Sequence, residues 1–139
     1  MSSKDHKFAA LLESVETGPH DPHFAGYFRC FNEQKFYEAH DVLEALWLQD
    51  RNGQDGDFFK GLIQFAGGFV HLKKQRPRPA WKLFRLCSTY LAKYPSPHLA
   101  LDVTNLLRLA KHWAEAAQAL GREGDLLAEQ TPPTLRLQS

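Results

Sequence analysis

The sequence has little of what marks several protein classes. It contains only two cysteines, Cys30 and Cys87, and no C-x-x-C pair, so we expect buried apolar thiols in a reducing compartment. No apolar run approaches the roughly 18 residues that a membrane-spanning helix needs. The N-terminal "MSSKDHKF" lacks the pattern of a secretory signal. These absences predict a soluble, cytoplasmic protein without a membrane segment.

The chain also lacks a bias in charge. Its 17 basic and 16 acidic residues give a net charge of +1, which excludes a strong attraction of the whole molecule to nucleic acid or membranes. The local exception is "KKQRPRPAWKLFR", from Lys73 to Arg85, with six basic residues and no acidic one. It is the only hint of a nucleic-acid contact. We favour a solvated loop whose lysines follow a helix C-terminus, where cations are stabilising.

Standard enzyme signatures are absent as well. The sequence has no G-x-S-x-G elbow, no phosphate-binding P-loop, no dinucleotide-binding G-x-G-x-x-G and no H-E-x-x-H zinc motif. Whether the protein is an enzyme is therefore left open by the motifs.

What the sequence does contain is a pattern typical of helices. Between prolines and glycines, apolar residues recur every three or four positions. The pattern predicts an all-α fold, a single-domain antiparallel bundle of five or six helices over residues 1–125. Residues 126–139 read as a loosely ordered tail. The predicted helices cover about 4–16, 22–31, 32–51, 55–75, 79–94 and 97–120, with Asp21, Asn32 and Ser96 as expected N-caps.

Two of these helices carry polar faces. In "FYEAHDVLEALW", four residues are spaced 3, 4 and 3 apart and so share one face. In the next helix, Lys60, Gln64, Gly67 and His71 are spaced 4, 3 and 4 apart. A short connection makes the two helices antiparallel neighbours, so the faces can meet. The predicted ligand pocket comprises Tyr37, His40, Glu44, Trp47, Gln64, Gly67 and His71.

Three interpretations of this polar centre compete. It is a structural hydrogen-bond network, since buried polar groups are normally paired. It is a site for a divalent transition metal, with His40, Glu44 and His71 as ligands. Or it is a ligand or catalytic pocket in which the glycines leave room and His40 and Glu44 form an acid–base pair.

Taken together, "FNEQKFYEAHDVLEALW" and "FFKGLIQFAGGFVHLKK" resemble an uncharacterised all-helical prokaryotic family, domain of unknown function number 309, over about residues 24–92. The resemblance implies a helical bundle with its signature residues on the first two core helices, and it implies no activity. The matching positions are Phe31, Asn32, Glu38, Ala39, His40, Glu44, Trp47, Gly61, Leu62, Ile63, Gln64 and His71.

This chain departs from that family's pattern at four positions. Asp41 stands where glutamate is usual, Gln34 where glycine is common, and Gly67 and Gly68 where alanine is usual. The glycines either widen a pocket or compensate for a bulky neighbour.

Two functions remain from these observations. We favour a binding or interaction module for a small molecule or a protein, in which the polar centre keeps a groove in shape. The alternative is a hydrolase-like, metal-dependent enzyme that uses His40, Glu44 and His71 to hold an ion and activate water. In that enzyme, Asp41 or Glu38 would act as base or support the ligands. A bundle of this size is also compatible with a homodimer.

Overall fold

Six helices form the part of the chain that the computed structural model describes, residues 20–138. The all-α bundle predicted from the sequence is confirmed, while the helix predicted over residues 4–16 lies outside the described residues. The helices are α1 (Pro22–Asn32), α2 (Phe36–Gln49), α3 (Gly56–Lys73), α4 (Pro77–Leu91), α5 (Val103–Leu120) and α6 (Leu126–Glu129). None of the helices in this range is both long enough and apolar enough to cross a bilayer.

Local chemistry explains where most helices begin. Asp21 caps α1, because its carboxylate accepts a hydrogen bond from the His23 backbone N–H at 2.7 Å, and Pro22 occupies the first turn. Two of the predicted N-caps are wrong. Asn32 ends α1 instead of starting α2, which begins at Phe36. Likewise, α5 begins at Val103 after Asp102, not at residue 97.

The α4–α5 connection keeps its irregular form through tertiary contacts. His98 and Leu101 form an isolated bridge, with Leu99 and Ala100 at positive φ between them. The His98 ring contacts Asp55 at 2.7 Å through Nε2 and packs against the Phe58 ring. These contacts hold the segment against the start of α3, and so the helix begins later than the Ser-Pro pattern predicts.

The centre of the bundle is aromatic, and α3 runs through it. Phe65 stacks on Phe31 with ring centroids 5.4 Å apart, and Phe69 stacks on Phe36 at 5.0 Å. Trp113 of α5 meets the other side of Phe69 at 4.9 Å. Each helix from α1 to α5 packs against its neighbour in sequence, so α2 and α4 flank α3. This places α2 and α3 beside each other, as the candidate site requires.

The segment after α5 is also in contact with the bundle. Leu126 and Leu135 are buried in the core. The Asn32 side chain donates from Nδ2 to the Leu135 carbonyl at 2.8 Å and accepts from the Leu135 N–H at 2.7 Å. The sequence predicts a loosely ordered tail from residue 126. Within that segment, the structure has the short helix α6 and two hydrogen bonds between Leu135 and Asn32 of α1.

Candidate functional site

A cavity of about 210 Å³ lies between α2 and α3 at the place predicted from the sequence. Five of the seven predicted pocket residues line it, because the two polar faces meet as their spacing indicates. The cavity is closed on one side by Leu83 of α4. The lining residues are Tyr37, His40, Gln64, Gly67, Val70, His71, Lys74 and Leu83.

Glu44 and Trp47, the other two predicted pocket residues, lie further along α2 and do not line this cavity. The Glu44 carboxylate is 3.6 Å from His40 Nε2, and both side chains are about 30% exposed. At that distance the contact is an ion pair when His40 is protonated, not a short hydrogen bond. The Trp47 ring instead carries the Lys60 ammonium, 4.4 Å from its centroid.

The two glycines of α3 have different environments. A Cβ on Gly68 would overlap the ring of Phe84, so this glycine allows α3 and α4 to approach closely. A Cβ on Gly67 would meet only the Leu83 Cδ1 atom, at 3.0 Å, and Gly67 borders the cavity. Gly67 therefore fits the interpretation that a glycine widens the pocket, and Gly68 fits the interpretation that a glycine compensates for a bulky neighbour.

His71 is held as a neutral ring. Burial lowers the pKa of its imidazole, and the positive charges of Lys74 and Arg76 lower this pKa further. Its Nδ1 atom is buried and has no hydrogen-bond partner among residues 20–138. His71 therefore offers the cavity a neutral imidazole.

Asp41 has a different position from the one predicted. Its spacing suggests the flank of α2, but its side chain is only 6% exposed and is the one charged residue buried among residues 20–138. Asp41 does not line this cavity, nor the second cavity described below. A role for Asp41 as base in the cavity therefore lacks geometric support.

The metal prediction also lacks geometric support. Within residues 20–138, no three His, Cys, Asp or Glu side chains are grouped so that they could hold an ion. His40, Glu44 and His71 therefore do not form the ligand set that the helical spacing suggests, because Glu44 lies one turn away from the cavity that His40 and His71 share.

Sequence reasoning missed a second cavity, of about 410 Å³, beside the first. The two cavities share Tyr37, Val70 and Lys74. Lys74 directly follows α3 and lies three residues after His71. Its spacing could therefore have placed it on the same polar face as His71. The remaining lining residues come from the α1–α2 turn, the first turn of α2 and the end of α3, and they are Gln34, Lys35, Phe36, Glu38 and Lys73.

Comparison with known proteins supports the resemblance in sequence. Residues 24–83 match the family model described as "Domain of unknown function (DUF309)", a shorter stretch than the 24–92 expected. The matched range contains most of α1, all of α2 and α3 and the first part of α4, and it includes all residues of both cavities. No curated protein and no solved structure matches the chain.

Proposed function

Because the family that matches residues 24–83 has no described activity, we propose from the geometry that this protein is a small-molecule-binding module. We name the two adjoining cavities between α2 and α3 the α2–α3 groove, and we propose that the ligand binds there. The observation that carries the proposal is the convergence of five separate polar or aromatic side chains on one small cavity. They are Tyr37, His40, Gln64, His71 and Lys74.

The chemistry of the inner cavity, the one of about 210 Å³, fits a small polar molecule. Val70, Leu83 and the Tyr37 ring supply apolar walls, while Gln64 and the imidazoles supply directional hydrogen-bonding groups. Ligand sites are typically apolar concavities with a few converging polar groups. A purely structural network is less consistent with this arrangement, because a buried His71 Nδ1 atom lacks a hydrogen-bond partner.

A fragment screen with a blocked variant tests the proposal. We would record amide NMR spectra of the protein with a library of small aromatic fragments. Fragments that bind should shift the amide signals of Tyr37, Gln64 and His71. Gly67→Leu should abolish these shifts, because the added side chain occupies the cavity wall at a position that has no Cβ.

A matched control is Ala92→Leu, which introduces a leucine side chain in the groove between α4 and α5 instead. It should leave fragment binding intact. Gln64→Leu is a second variant, in case Gly67→Leu lowers the folded fraction. Fragment shifts that persist in both groove variants, or that cluster around Ala92, would contradict the proposal.

A further inference from the structure

The charges around the α2–α3 groove are not balanced. The outer cavity, the one of about 410 Å³, is lined by three lysines and one carboxylate, that of Glu38. Among the described residues that line the inner cavity, Lys74 is the only one with a full formal charge. Burial lowers the pKa of His71, and the positive charges of Lys74 and Arg76 lower this pKa further because they oppose protonation of the ring. The groove therefore has a positive environment around a neutral imidazole.

The three lysines differ in what else they contact. Lys35 forms an ion pair with Glu33 at 3.3 Å. Lys73 donates a hydrogen bond to the Gln34 carbonyl at 2.7 Å and lies over the Phe36 ring. Both thus have contacts that hold the α1–α2 turn. Within residues 20–138, no hydrogen bond or ion pair of the Lys74 side chain is present, and Lys74 lines both cavities.

Tyr37 stands at the same junction. Its side chain is 59% exposed although it is large and aromatic, and it lines both cavities. Its ring lies 6.0 Å from the His40 ring at an interplanar angle of 35°. An exposed aromatic face beside an ammonium group suits a molecule with a planar body and an adjacent negative charge.

We propose that the ligand of the α2–α3 groove is a planar, aromatic-type molecule that carries a phosphate or carboxylate group. Its planar body lies in the inner cavity against Tyr37, and its anionic group binds Lys74 where the two cavities join. This inference rests on the proposed function and adds the chemical class of the ligand.

The test compares three probes that separate the two parts of this ligand. Phenyl phosphate has the ring and the anion, phenol has the ring alone, and inorganic phosphate has the anion alone. Affinities are measured by titration with amide NMR detection in buffer without competing phosphate. We expect phenyl phosphate to bind more tightly than either of the other two and to shift the signals of Tyr37 and His71.

The diagnostic variant is Lys74→Gln, and the matched control is Lys82→Gln, an exposed lysine of the same basic stretch that lines neither cavity. Lys74→Gln should weaken phenyl phosphate about tenfold, the order expected for one charge-assisted hydrogen bond, and leave phenol unchanged. Lys82→Gln should leave all three affinities unchanged. Because both substitutions are at exposed positions, a dispersed amide spectrum confirms that each variant is folded.

Other outcomes separate the two proposals. If phenol binds as tightly as phenyl phosphate and Lys74→Gln has no effect, the groove binds a ligand but its preference for anions is refuted. If both lysine variants weaken phosphate binding equally, the contact is a diffuse surface attraction of the kind nucleic acids use, and the inference is overturned. If none of the probes shifts the groove signals, both this inference and the proposed function are contradicted.

Discussion

At the scale of single residues, Gly67 and Gly68 show how neighbouring identical residues serve different purposes. Gly68 lies against Phe84, and no side chain fits between them without displacing that ring. Gly67 lies at the cavity, where its missing side chain leaves space next to Leu83. Glycine inside a helix costs about 1 kcal/mol relative to alanine, so each position gives up helix stability for a distinct gain.

Replacing each glycine with alanine should separate these gains. Gly68→Ala should destabilise the protein by about 1–3 kcal/mol, the usual cost of overpacking a core, despite the better helix propensity of alanine. Gly67→Ala should stay within about 1 kcal/mol of the parent, because the end of the Leu83 side chain can move aside. Urea denaturation measures both changes. Equal effects of the two substitutions would contradict the distinction.

The residue scale also shows what the sequence could predict of the site. The 3.6-residue period places Tyr37, His40, Gln64 and His71 on facing sides of two helices, and the structure brings them together. The helical period does not indicate at which turns of the two helices their polar faces meet. Glu44 therefore fell outside the cavity, and Leu83 was missed because its contribution depends on the packing of α4.

At the scale of elements, the α1–α2 turn has a residue in an unfavourable conformation. Gln34 has a φ of 61°, in the left-handed region that favours glycine. Its carbonyl accepts the hydrogen bond from Lys73, so the conformation also joins this turn to the end of α3. The resemblance stated from the sequence implies glycine at this position, and the positive φ of Gln34 is a conformation that glycine adopts without strain.

Gln34→Gly should stabilise the protein by about 0.5–1 kcal/mol, because a non-glycine residue in the left-handed region costs roughly 1–2 kcal/mol and glycine loses part of that gain as entropy. The control is Lys35→Gly at the next position, whose φ of −93° suits any residue. That variant should be less stable than the parent. Thermal or urea unfolding of the pair provides the measurement, and a loss of stability in Gln34→Gly would refute the strain argument.

Helix boundaries at this scale were predicted only where local chemistry sets them. Asp21-Pro22 starts α1 by capping, as expected from the sequence alone. The Ser96-Pro97 pair has the same local signal, but the contacts of His98 with Asp55 and Phe58 keep the following residues irregular. Such contacts join residues 43 positions apart, and a local pattern contains no information about them.

At the scale of the whole molecule, the Asn32–Leu135 pair joins the first described helix to the C-terminal segment. Two hydrogen bonds link one side chain to both backbone groups of a residue 103 positions away. The sequence suggests Asn32 as a helix cap because asparagine is common there. Its actual role depends on a long-range contact, which no local pattern predicts.

Asn32→Ala should lower the free energy of unfolding by about 1–3 kcal/mol, because the backbone groups of Leu135 would be left without these partners in a partly buried site. Asn32→Asp should also be destabilising, since its carboxylate still accepts from the Leu135 N–H but its second oxygen has no proton to donate to the Leu135 carbonyl. Removing residues 131–139 from the parent and from Asn32→Ala completes a double-mutant cycle. Purely additive losses in that cycle would show that the tail and Asn32 are independent.

The same pair has a consequence for the order in which the protein can complete its fold during synthesis. The contacts between successive helices from α1 to α5 join elements that leave the ribosome one after another, so each can form as soon as the next helix emerges. The partner of Asn32 lies 103 positions later in the chain and is synthesised after all five of these helices. A chain whose translation stops before residue 135 therefore lacks this contact, and the Asn32 side chain gains its two hydrogen bonds to Leu135 only after that residue has been added.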